Sequence, residues 1–508
     1  MTGPTLLHHL LDRAASARPD APSVDCGTAT LTFGQLDLAS RRLAGFLAEL
    51  GARRGDRVVV CTPPDVLVPA LLYGCARAGA VFSVVHEQTP EPALAHVLDD
   101  CEPAVLVTDD PVGHALAAAR GIRAVTLAEL HAAAQDSARQ DSAKQDSIVP
   151  RETPVLAVDP VCLIYTSGST GRPKAVVSTH AQAVFAIAAI ESQLAYRPDD
   201  VVFCALPQSF DYGLYQLFLA TSAAARLRLA SAADAGPQLL RQLTTHRVTV
   251  LPAVPAMVKT LARLLSRPGA QPPPLRLVTN TGAAMPEVSL RELRRHVPGL
   301  RVQLMFGLTE CKRATIMPPD EDLRRPGACG KALPGTEVFV VDEDGGRLPV
   351  GEIGEIVVRG PNVMAGYWRR PELTAQRFHL AHGLFPELRT GDYGRMDEDG
   401  YLYFSGRRDD LYKERGFRVS VTEVQAAAYR VPGVQAAAVL APTADRDSAT
   451  LLVVTDLAPE DVLAGLRAEL EDFKVPRQCL VVPEIPLTPN GKVDRAGLLR
   501  LVEDGTHV

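Results

Sequence analysis

A run of small and hydroxyl residues that ends in a lysine follows an apolar segment in the first half of the chain. The run is LIYTSGSTGRPK, at residues 163–174. Glycines let backbone N–H groups converge on anionic oxygens, while hydroxyls and an ammonium add donors and charge. The run therefore predicts a phosphate-binding loop. The residues expected to bind phosphate are Thr166, Ser167, Gly168, Ser169, Thr170, Gly171 and Lys174.

The spacing within this loop differs from that of P-loop NTPases. Their motif requires G-x-x-x-x-G-K-[ST] at the start of a helix. Here Gly168, Gly171 and Lys174 are three residues apart, and Pro173 precedes the lysine. The other interpretation is a flexible Ser/Gly turn, and the preceding apolar strand and the closing R-P-K argue against it.

A single acid, Asp211, stands among aromatic and aliphatic residues in SFDYGLY at residues 209–215. A carboxylate in such a setting is either a solvated surface charge or a group that meets a cation in a pocket. Burying a carboxylate in an apolar pocket is costly unless a cation pairs with it. A third interpretation is that Asp211 caps the helix that follows, from the N-cap position.

Six motifs along nearly the whole chain occur in an order that resembles the adenylate-forming superfamily. This superfamily comprises acyl- and aryl-CoA synthetases, adenylation domains of nonribosomal peptide synthetases, and luciferases. After the phosphate loop, the motifs are NTGAAMP (280–286), MFGLTE (305–310), RTGDYGRMDEDGYLYFSGRRDD (389–410), KERGFRVSVTEVQ (413–425) and PLTPNGKVDRAGL (486–498).

The resemblance implies ATP and Mg²⁺ as cofactors. Phe306 offers a flat apolar face for adenine, and Glu310 offers an oxygen for Mg²⁺ that would bridge phosphates. Thr309 can donate to the α-phosphate, so we expect Thr309 and Glu310 to act in catalysis. The remaining nucleotide-binding positions that the resemblance implies are Gly282, Ala283, Ala284, Gly307, Asp392 for the ribose hydroxyls and Arg407 for ribose or phosphate oxygens.

The last motif places Lys492 where the superfamily has its catalytic lysine. An ammonium there would neutralise charge that develops between the attacking carboxylate and the α-phosphate as pyrophosphate departs. The resemblance also places Asp409 at a hinge about which a small C-terminal domain swings. That swing would remove Lys492 from the site and bring Gly416 in for the second half-reaction.

The resemblance assigns SFDYGLY to the substrate pocket, where amino-acid-activating members use an aspartate to bind the substrate ammonium. Asp211 therefore predicts a substrate that carries an amine, although an F-D-Y-G-L run also occurs in relatives that resemble acyl-CoA ligases. Two tyrosines favour a compact or ring-bearing acid over a long acyl tail. The other pocket positions implied are Tyr212, Tyr215, Thr281, Met305, Arg313 and Ala314.

Lys312 and Arg313 follow the MFGLTE motif where many relatives have neutral residues. The two side chains either face solvent, or one of them binds a second anionic group of the substrate.

We therefore expect an ATP-dependent ligase that activates a small amino-bearing carboxylic acid as acyl-AMP and passes it to a thiol of a separate carrier protein. The acid is an amino acid or an aminoaryl acid. One alternative is an aryl- or short-acyl-CoA ligase. Another is a relative that transfers the activated group to an amine, including nitrite-dependent diazotisation. A non-catalytic nucleotide-binding relative is the alternative from a different class.

The elements that must position these residues alternate along the chain. Segments such as FGQLDLASRRLAGFLAELG have helical spacing of apolar residues, whereas DRVVVCT, VVFCALP, VTVLPAV and LRLVTNTG have the character of buried strands. The alternation predicts an α/β fold around a largely parallel sheet, with ligands at the carboxyl ends of the strands.

The length of 508 residues exceeds the roughly 250–300 residues at which one core stops growing. We expect a large N-terminal domain over residues 1–408, containing a flexible loop of QDS repeats at 135–147 and a small β-barrel-like subdomain at about 327–405. A small mobile α+β C-terminal domain would cover 409–508. The charged, glycine-flanked segment 407–416 has the composition of a linker.

The amino-acid composition limits the classes of binding partner that we expect. With 53 basic and 59 acidic residues, the net charge of −6 has no single-sign block, so neither nucleic acid nor a membrane surface is expected as a partner. The start of the chain lacks the pattern of a signal peptide. The nine cysteines are scattered without C-x-x-C spacing, which predicts neither a zinc site nor a disulfide framework and fits the cytoplasm.

Overall fold

The computed structural model describes residues 3–136, 154–166, 173–383, 385–407, 411–414, 417–442, 448–470, 474–488 and 493–503. Of the predicted QDS-repeat loop, only Gln135 and Asp136 are among the described residues. The α/β fold class that the sequence predicts is confirmed, because helices alternate with the strands of several sheets.

The first part of the chain alternates helices and strands, as the periodicity of its apolar residues predicts. The second helix begins with a capping box, in which Thr32 and Gln35 satisfy each other's backbone N–H groups. The elements are α1 (His9–Ala17), β1 (Pro22–Cys26), β2 (Ala29–Thr32), α2 (Phe33–Glu49), β3 (Arg57–Val60), α3 (Val68–Ala78), β4 (Val81–Val84), α4 (Glu91–Cys101), β5 (Val105–Val107), α5 (Pro111–Ala118), β6 (Arg123–Val125) and α6 (Leu127–Gln135).

The alternation continues through the next part of the chain, which carries most of the predicted site motifs. Two short 3₁₀ helices, Ala232–Ala235 and Glu321–Leu323, interrupt it. The elements are β7 (Pro160–Thr166), β8 (Lys174–Thr179), α7 (His180–Leu194), β9 (Val201–Cys204), α8 (Asp211–Ser222), β10 (Arg226–Leu229), α9 (Leu239–Thr245), β11 (Val250–Ala253), α10 (Pro255–Leu265), β12 (Leu277–Asn280), α11 (Glu287–His296), β13 (Arg301–Phe306) and β14 (Thr315–Ile316).

The remaining elements are mostly strands up to residue 420 and mixed thereafter. They are β15 (Lys331–Ala332), β16 (Glu337–Val341), β17 (Gly354–Arg359), β18 (Gly366–Tyr367), α12 (Pro371–Arg377), β19 (Phe378–Ala381), β20 (Phe385–Met396), β21 (Leu402–Arg407), β22 (Leu411–Glu414), β23 (Phe417–Ser420), α13 (Val421–Arg430), β24 (Ala436–Leu440), β25 (Thr450–Val454), α14 (Pro459–Glu469), β26 (Gln478–Val481) and α15 (Arg495–Glu503).

Two large sheets contain most of the parallel pairs. The first has the order β15-β14-β13-β12-β11-β9-β10-β1-β2, and its six strands from β13 to β1 run parallel. The second has the order β18-β8-β7-β4-β3-β5-β6, with β7 and β8 as an antiparallel pair. The early α/β segment thus contributes to both sheets, because β1 and β2 add to the first sheet and β3 to β6 build the second.

An antiparallel sheet follows, with the order β16-β17-β20-β19 and β21 paired to β20. The short strands β15 and β18 lie in the same part of the chain but pair with the large sheets instead.

The charged segment predicted as a linker is partly strand, because Leu411–Glu414 pairs with Phe417–Ser420. Tyr412 and Val419 are directly opposite each other in this pair, and both are buried.

Within the described residues, no helix combines the length and the apolar character required to cross a membrane.

A histidine is buried in the core where α7 meets the start of the chain. His180 is fully buried, and its Nδ1 accepts a hydrogen bond of 3.0 Å from the backbone N–H of Leu7. Burial lowers the pKa of His180 from 6.5 to about 4, against the opposing effect of the nearby Asp159 carboxylate. The folded protein therefore keeps this imidazole neutral under conditions in which an unfolded chain would protonate it.

We predict that the protein loses stability as the pH falls from 6.5 towards 4. The unfolded chain binds a proton in that window and the folded chain does not, so the contribution of His180 falls by about 3 kcal/mol. Urea unfolding at several pH values measures the slope, and His180→Gln, whose amide oxygen can still accept from Leu7, should flatten it. Equal slopes in the two proteins would contradict the assignment.

Candidate functional site

The predicted substrate and nucleotide motifs meet at the carboxyl ends of neighbouring parallel strands. Asp211 begins α8 after β9, Thr281 follows β12, and Gly307 follows β13. Gly282 has a φ of +84°, a conformation that L residues rarely adopt, and a Cβ there would lie 3.4 Å from the ring of Phe210. The sheet therefore brings the SFDYGLY, NTGAAMP and MFGLTE motifs together at one edge, where ligands bind in open α/β sheets.

Asp211 is a buried member of an ion pair. Its Oδ2 accepts a hydrogen bond of 3.0 Å from Nη1 of Arg313, and both residues are 3% exposed. Asp211 is therefore not a solvated surface charge. It also does not occupy the N-cap position, which belongs to Phe210 and has no side-chain cap.

The interpretation that Lys312 and Arg313 face solvent is wrong for both residues. Lys312 is fully buried, its Nζ donates to the backbone carbonyl of Thr309 at 3.0 Å, and its φ is +62°. Burial lowers the pKa of Lys312, partly offset by the charge of Asp211. Lys312 is buried because the turn after β13 is tight. The carbonyl of Lys312 passes so close to Gly307 that a Cβ on residue 307 would collide with it.

Tyr212 and Tyr215 are buried and lie against these two cations. The guanidinium of Arg313 is 4.8 Å from the ring centroid of Tyr212, and Nζ of Lys312 is 5.3 Å from that of Tyr215. Tyr212 shares a hydrogen bond of 2.8 Å with Thr279. Both tyrosines thus support the cations through cation–π contacts and have almost no exposed surface of their own.

Two donors on the predicted substrate-pocket residues have no hydrogen-bond partner among the described residues. They are Nε of Arg313 and the hydroxyl of Thr281, and both are buried. Leaving such donors unsatisfied costs about 1–3 kcal/mol each. The remaining predicted pocket residues are Met305, on β13, and Ala314, just before β14. Both are buried.

The predicted nucleotide-binding residues include Phe306 at the end of β13 and two residues on the neighbouring strands β20 and β21. The ring of Phe306 lies 5.6 Å from that of Phe404, at an angle of 32°. Asp392 and Arg407 are directly opposite each other in the antiparallel pair of β20 and β21. The backbone N–H of Asp392 is held by the hydroxyl of Thr390 at 3.1 Å.

The two ends of the phosphate loop are cross-strand neighbours. Thr166 and Lys174 form the last pair between β7 and β8, so the loop between them connects two antiparallel strands. Five of its predicted phosphate ligands, Ser167, Gly168, Ser169, Thr170 and Gly171, lie outside the described residues. So do the hinge residue Asp409, Gly416 and Lys492, while Arg407 is described by its backbone only.

Among the described residues, two side chains approach the carboxylate of Glu310. Oη of Tyr367 donates to its Oε1 at 2.7 Å, and Nζ of Lys174 lies 4.0 Å from the same oxygen. The lysine ammonium is also 3.9 Å from the ring centroid of Tyr367. A single carboxylate beside a phosphate loop fits Mg²⁺, which is usually bound through one or two carboxylates together with substrate phosphates. Glu310 would hold such a cation, and the cation would offset phosphate charge.

The sequence-based prediction missed Tyr367 and Asn362. Both lie in PNVMAGYW at residues 361–368, a segment of polar, aromatic and glycine residues that follows β17 and includes the two residues of β18. An asparagine and a tyrosine in a connector do not by themselves predict contact with a residue some fifty positions away. Their partners on the turn after β13 are visible only in the tertiary structure.

Two family models match most of the chain. The model described as AMP-binding enzyme matches residues 11–368, and the model described as AMP-binding enzyme C-terminal domain matches residues 423–492.

Curated relatives include both CoA and carrier-protein ligases. A feruloyl-CoA synthase of an Amycolatopsis species is 32% identical over 494 residues, which are 95% of this chain and 96% of that enzyme. The L-proline--[L-prolyl-carrier protein] ligase of Streptomyces coelicolor is 31% identical over 515 residues, or 96% of each chain. The chain spans only 6% of the nonribosomal peptide synthetase CymA of Salinispora arenicola, to which it is 33% identical over 516 residues.

Solved structures of similar fold include nucleotide and amino-acid complexes. ATP-bound MatB from Rhodopseudomonas palustris superposes with a TM-score of 0.84 at 30% identity, covering 98% of this chain and 99% of MatB. The complex of VinN with L-aspartate gives a TM-score of 0.71 at 36% identity, covering 79% of this chain and 98% of VinN.

We predict that Lys312 makes the stability of the protein rise with pH. Its folded-state pKa is below the ordinary value of 10.5, so the unfolded chain binds more protons as the pH approaches 10.5. Relative to wild type, Lys312→Met should lack this rise when urea midpoints are compared between pH 8 and pH 10. The exposed Lys331→Met is the matched control and should follow wild type.

Proposed function

The chain belongs to the AMP-binding enzyme family and is an ATP-dependent, adenylate-forming ligase. We propose that its substrate is a small amino acid with a second acidic group. The proposed acceptor is the thiol of a separate carrier protein. The observation that carries this proposal is the buried pair of Asp211 and Arg313. Two buried donors of the predicted pocket residues, Nε of Arg313 and the hydroxyl of Thr281, have no described partner.

The amine of the substrate would bind Asp211. Arg313 occupies Oδ2 of this carboxylate, and the other oxygen, Oδ1, is the proposed acceptor for the ammonium. A carboxylate held at the start of a helix is also favoured by the helix dipole. This retains the prediction that the substrate bears an amine and accounts for an acid in a pocket whose other walls are aromatic and aliphatic.

The charge of the pocket then argues for a second anionic group. Asp211 and Arg313 balance each other, so an ammonium alone would leave an excess positive charge in a buried site. Protonated Lys312 would increase that excess. A second carboxylate on the substrate would balance the ammonium and satisfy Nε of Arg313 and the hydroxyl of Thr281 by charge-assisted hydrogen bonds. The similarity to VinN, whose structure was determined with L-aspartate, agrees with this substrate class.

The proposed reaction proceeds in two steps at one site. A carboxylate oxygen of the substrate attacks the α-phosphorus of ATP, the bond to the β-phosphate breaks, and pyrophosphate leaves. The thiol sulfur then attacks the acyl carbon as a thiolate, and AMP leaves with the electron pair of the broken C–O bond. We assign Phe306 to the adenine, Asp392 and Arg407 to the ribose, and Lys174 with the phosphate loop to the phosphates.

Thr309 and Glu310 would act at the α-phosphate, through a hydroxyl donor and through the carboxylate proposed for Mg²⁺. Lys492 would stabilise the charge of the first step. The assignment of the small domain to residues 409–508, with Asp409 as its hinge, belongs to the same proposal.

A CoA ligase for an acid without an amine is the second candidate. One observation favours it, because Arg313 already pairs with Asp211, so that the carboxylate needs no cation from a ligand. The feruloyl-CoA synthase relative belongs to that functional class. The two candidates differ in whether the wild-type enzyme requires an amine on the acid.

We predict that ATP–pyrophosphate exchange depends on both extra groups of the substrate. The panel contains amino-dicarboxylic acids with the amine α or β to the activated carboxyl, the same acids without the amine, and analogues whose second carboxylate is an amide. Each deletion should lower kcat/KM at least about 100-fold, because it leaves a buried charged group without its partner.

Two variants assign these effects to residues. Asp211→Asn should reduce the preference for the amine more than that for the second carboxylate, and Arg313→Met should do the reverse. Equal activation of acids with and without the amine by the wild-type enzyme would reject the proposed substrate class and favour the CoA-ligase alternative.

We also predict that Lys492→Ala separates the two half-reactions. Pyrophosphate exchange should fall by at least about 100-fold, because the charge of the first transition state loses its stabilisation. Transfer from a chemically prepared adenylate to the thiol should be largely retained. Equal losses in the two assays would argue against a role confined to adenylation.

A further inference from the structure

One connector contacts the turn after β13 at four points. The connector is residues 362–367, which follow β17 and end with the two residues of β18, and the turn is residues 310–313. Nδ2 of Asn362 donates to the carbonyls of Cys311 and Arg313, at 3.3 and 3.0 Å. The backbone N–H of Met364 donates to the carbonyl of Glu310 at 2.9 Å, and Tyr367 donates to the Glu310 carboxylate at 2.7 Å.

The turn depends on outside support because it belongs to no helix or strand. It holds a fully buried lysine in a left-handed backbone conformation and an arginine in a buried ion pair. Such a conformation costs of order 1–3 kcal/mol and persists only when the surroundings impose it. Asn362 is itself fully buried, so its two hydrogen bonds to the turn are shielded from competing water.

The connector is in turn attached to the phosphate-loop side of the molecule. Gly366 and Tyr367 pair with Val177 and Val176 of β8, the strand that begins at Lys174. Nε2 of Gln182, on α7, donates to the carbonyl of Val363 at 2.9 Å. The connector therefore links the strand that carries the phosphate-loop lysine to the turn that carries Glu310, Lys312 and Arg313.

We propose that Tyr367 and Asn362 are positioning residues that act on two different substrates through this connector. Tyr367 orients the Glu310 carboxylate towards the metal and the nucleotide, since its hydroxyl holds Oε1 and leaves Oε2 for the cation. Asn362 holds the backbone of Arg313 and thereby the guanidinium that faces the acid. This inference rests on the proposed function for the acid-binding part, whereas the nucleotide part requires only the family activity.

Tyr367→Phe tests the nucleotide part. Phenylalanine keeps the ring beside Lys174 and Phe378 and removes only the hydroxyl. The Mg²⁺ concentration for half-maximal thermal stabilisation by ATP should rise about tenfold, since a hydrogen bond to a charged group is lost. The Mg²⁺ dependence of pyrophosphate exchange should shift equally, while KM for the acid stays unchanged.

Tyr165→Phe is the matched control for this substitution. The hydroxyl of Tyr165 donates to Oδ2 of Asp100 at 2.9 Å, a tyrosine–carboxylate hydrogen bond that is partly buried, whereas that of Tyr367 is buried. Its loss should leave the Mg²⁺ dependence as in wild type. A shift of similar size in the control, or no shift in Tyr367→Phe, would overturn the role of Tyr367.

Asn362→Ala tests the acid part. Its KM for the acid should rise about tenfold, because the Arg313 guanidinium loses its fixed position, while the Mg²⁺ midpoint for thermal stabilisation by ATP stays at the wild-type value. Asn362→Ser, whose hydroxyl retains one donor, replaces it if the alanine variant does not fold, and its increase in KM should be smaller. Identical changes of both parameters in Tyr367→Phe and Asn362→Ala would indicate a merely structural role and overturn the proposal.

The outcomes separate this inference from the proposed function. If no amino-dicarboxylic acid supports exchange but another acid does, the proposed substrate class fails, and the same variants are measured with that acid. Changes in the Mg²⁺ midpoint of Tyr367→Phe alone and in the acid KM of Asn362→Ala alone would then still support the two positioning roles. Wild-type behaviour of both variants with an active acid would reject them.

Discussion

The buried ion pair between Asp211 and Arg313 is the interaction on which the proposed site depends. It joins the first turn of a fully buried helix to an irregular turn after a neighbouring strand. Removing either partner would leave an uncompensated buried charge, which costs about 3–5 kcal/mol. The pair therefore holds the substrate side of the site together, and any ligand of this pocket has to preserve its charge balance.

Lys312 shows how strongly the surrounding fold constrains this turn. Its ammonium is buried although burial lowers its pKa, and its backbone has a positive φ. Gly307 allows the turn to close, because any side chain at that position would collide with the lysine carbonyl. The hydrogen bonds from residues 362–367 then keep the closed turn in place. Local backbone strain of this kind is typical of binding sites.

The same turn connects the two halves of the proposed chemistry. Glu310, at its start, lies beside the phosphate-loop lysine, and Arg313, at its end, lies beside the substrate aspartate. Only two residues thus separate the proposed metal ligand from the proposed acid-binding cation. A small shift at either end of the turn would misplace the reactant bound there, and the loss of rate from such misplacement can be large because attack requires aligned atoms.

The sequence by itself determined the family, the α/β fold class, the strands β9, β11 and β12 of the first large sheet, and the positions of the motifs. It could do so because glycine and hydroxyl runs, strand alternation and the order of motifs are local properties. It could not predict the burial of Lys312 and Arg313, because charged residues in a connector usually face water. Only the tertiary structure decided that these cations point inwards, that Arg313 meets Asp211, and that residues 362–367 hold the turn. Each of these contacts joins residues distant in sequence, and no local pattern encodes which partners the packing of the sheets brings together.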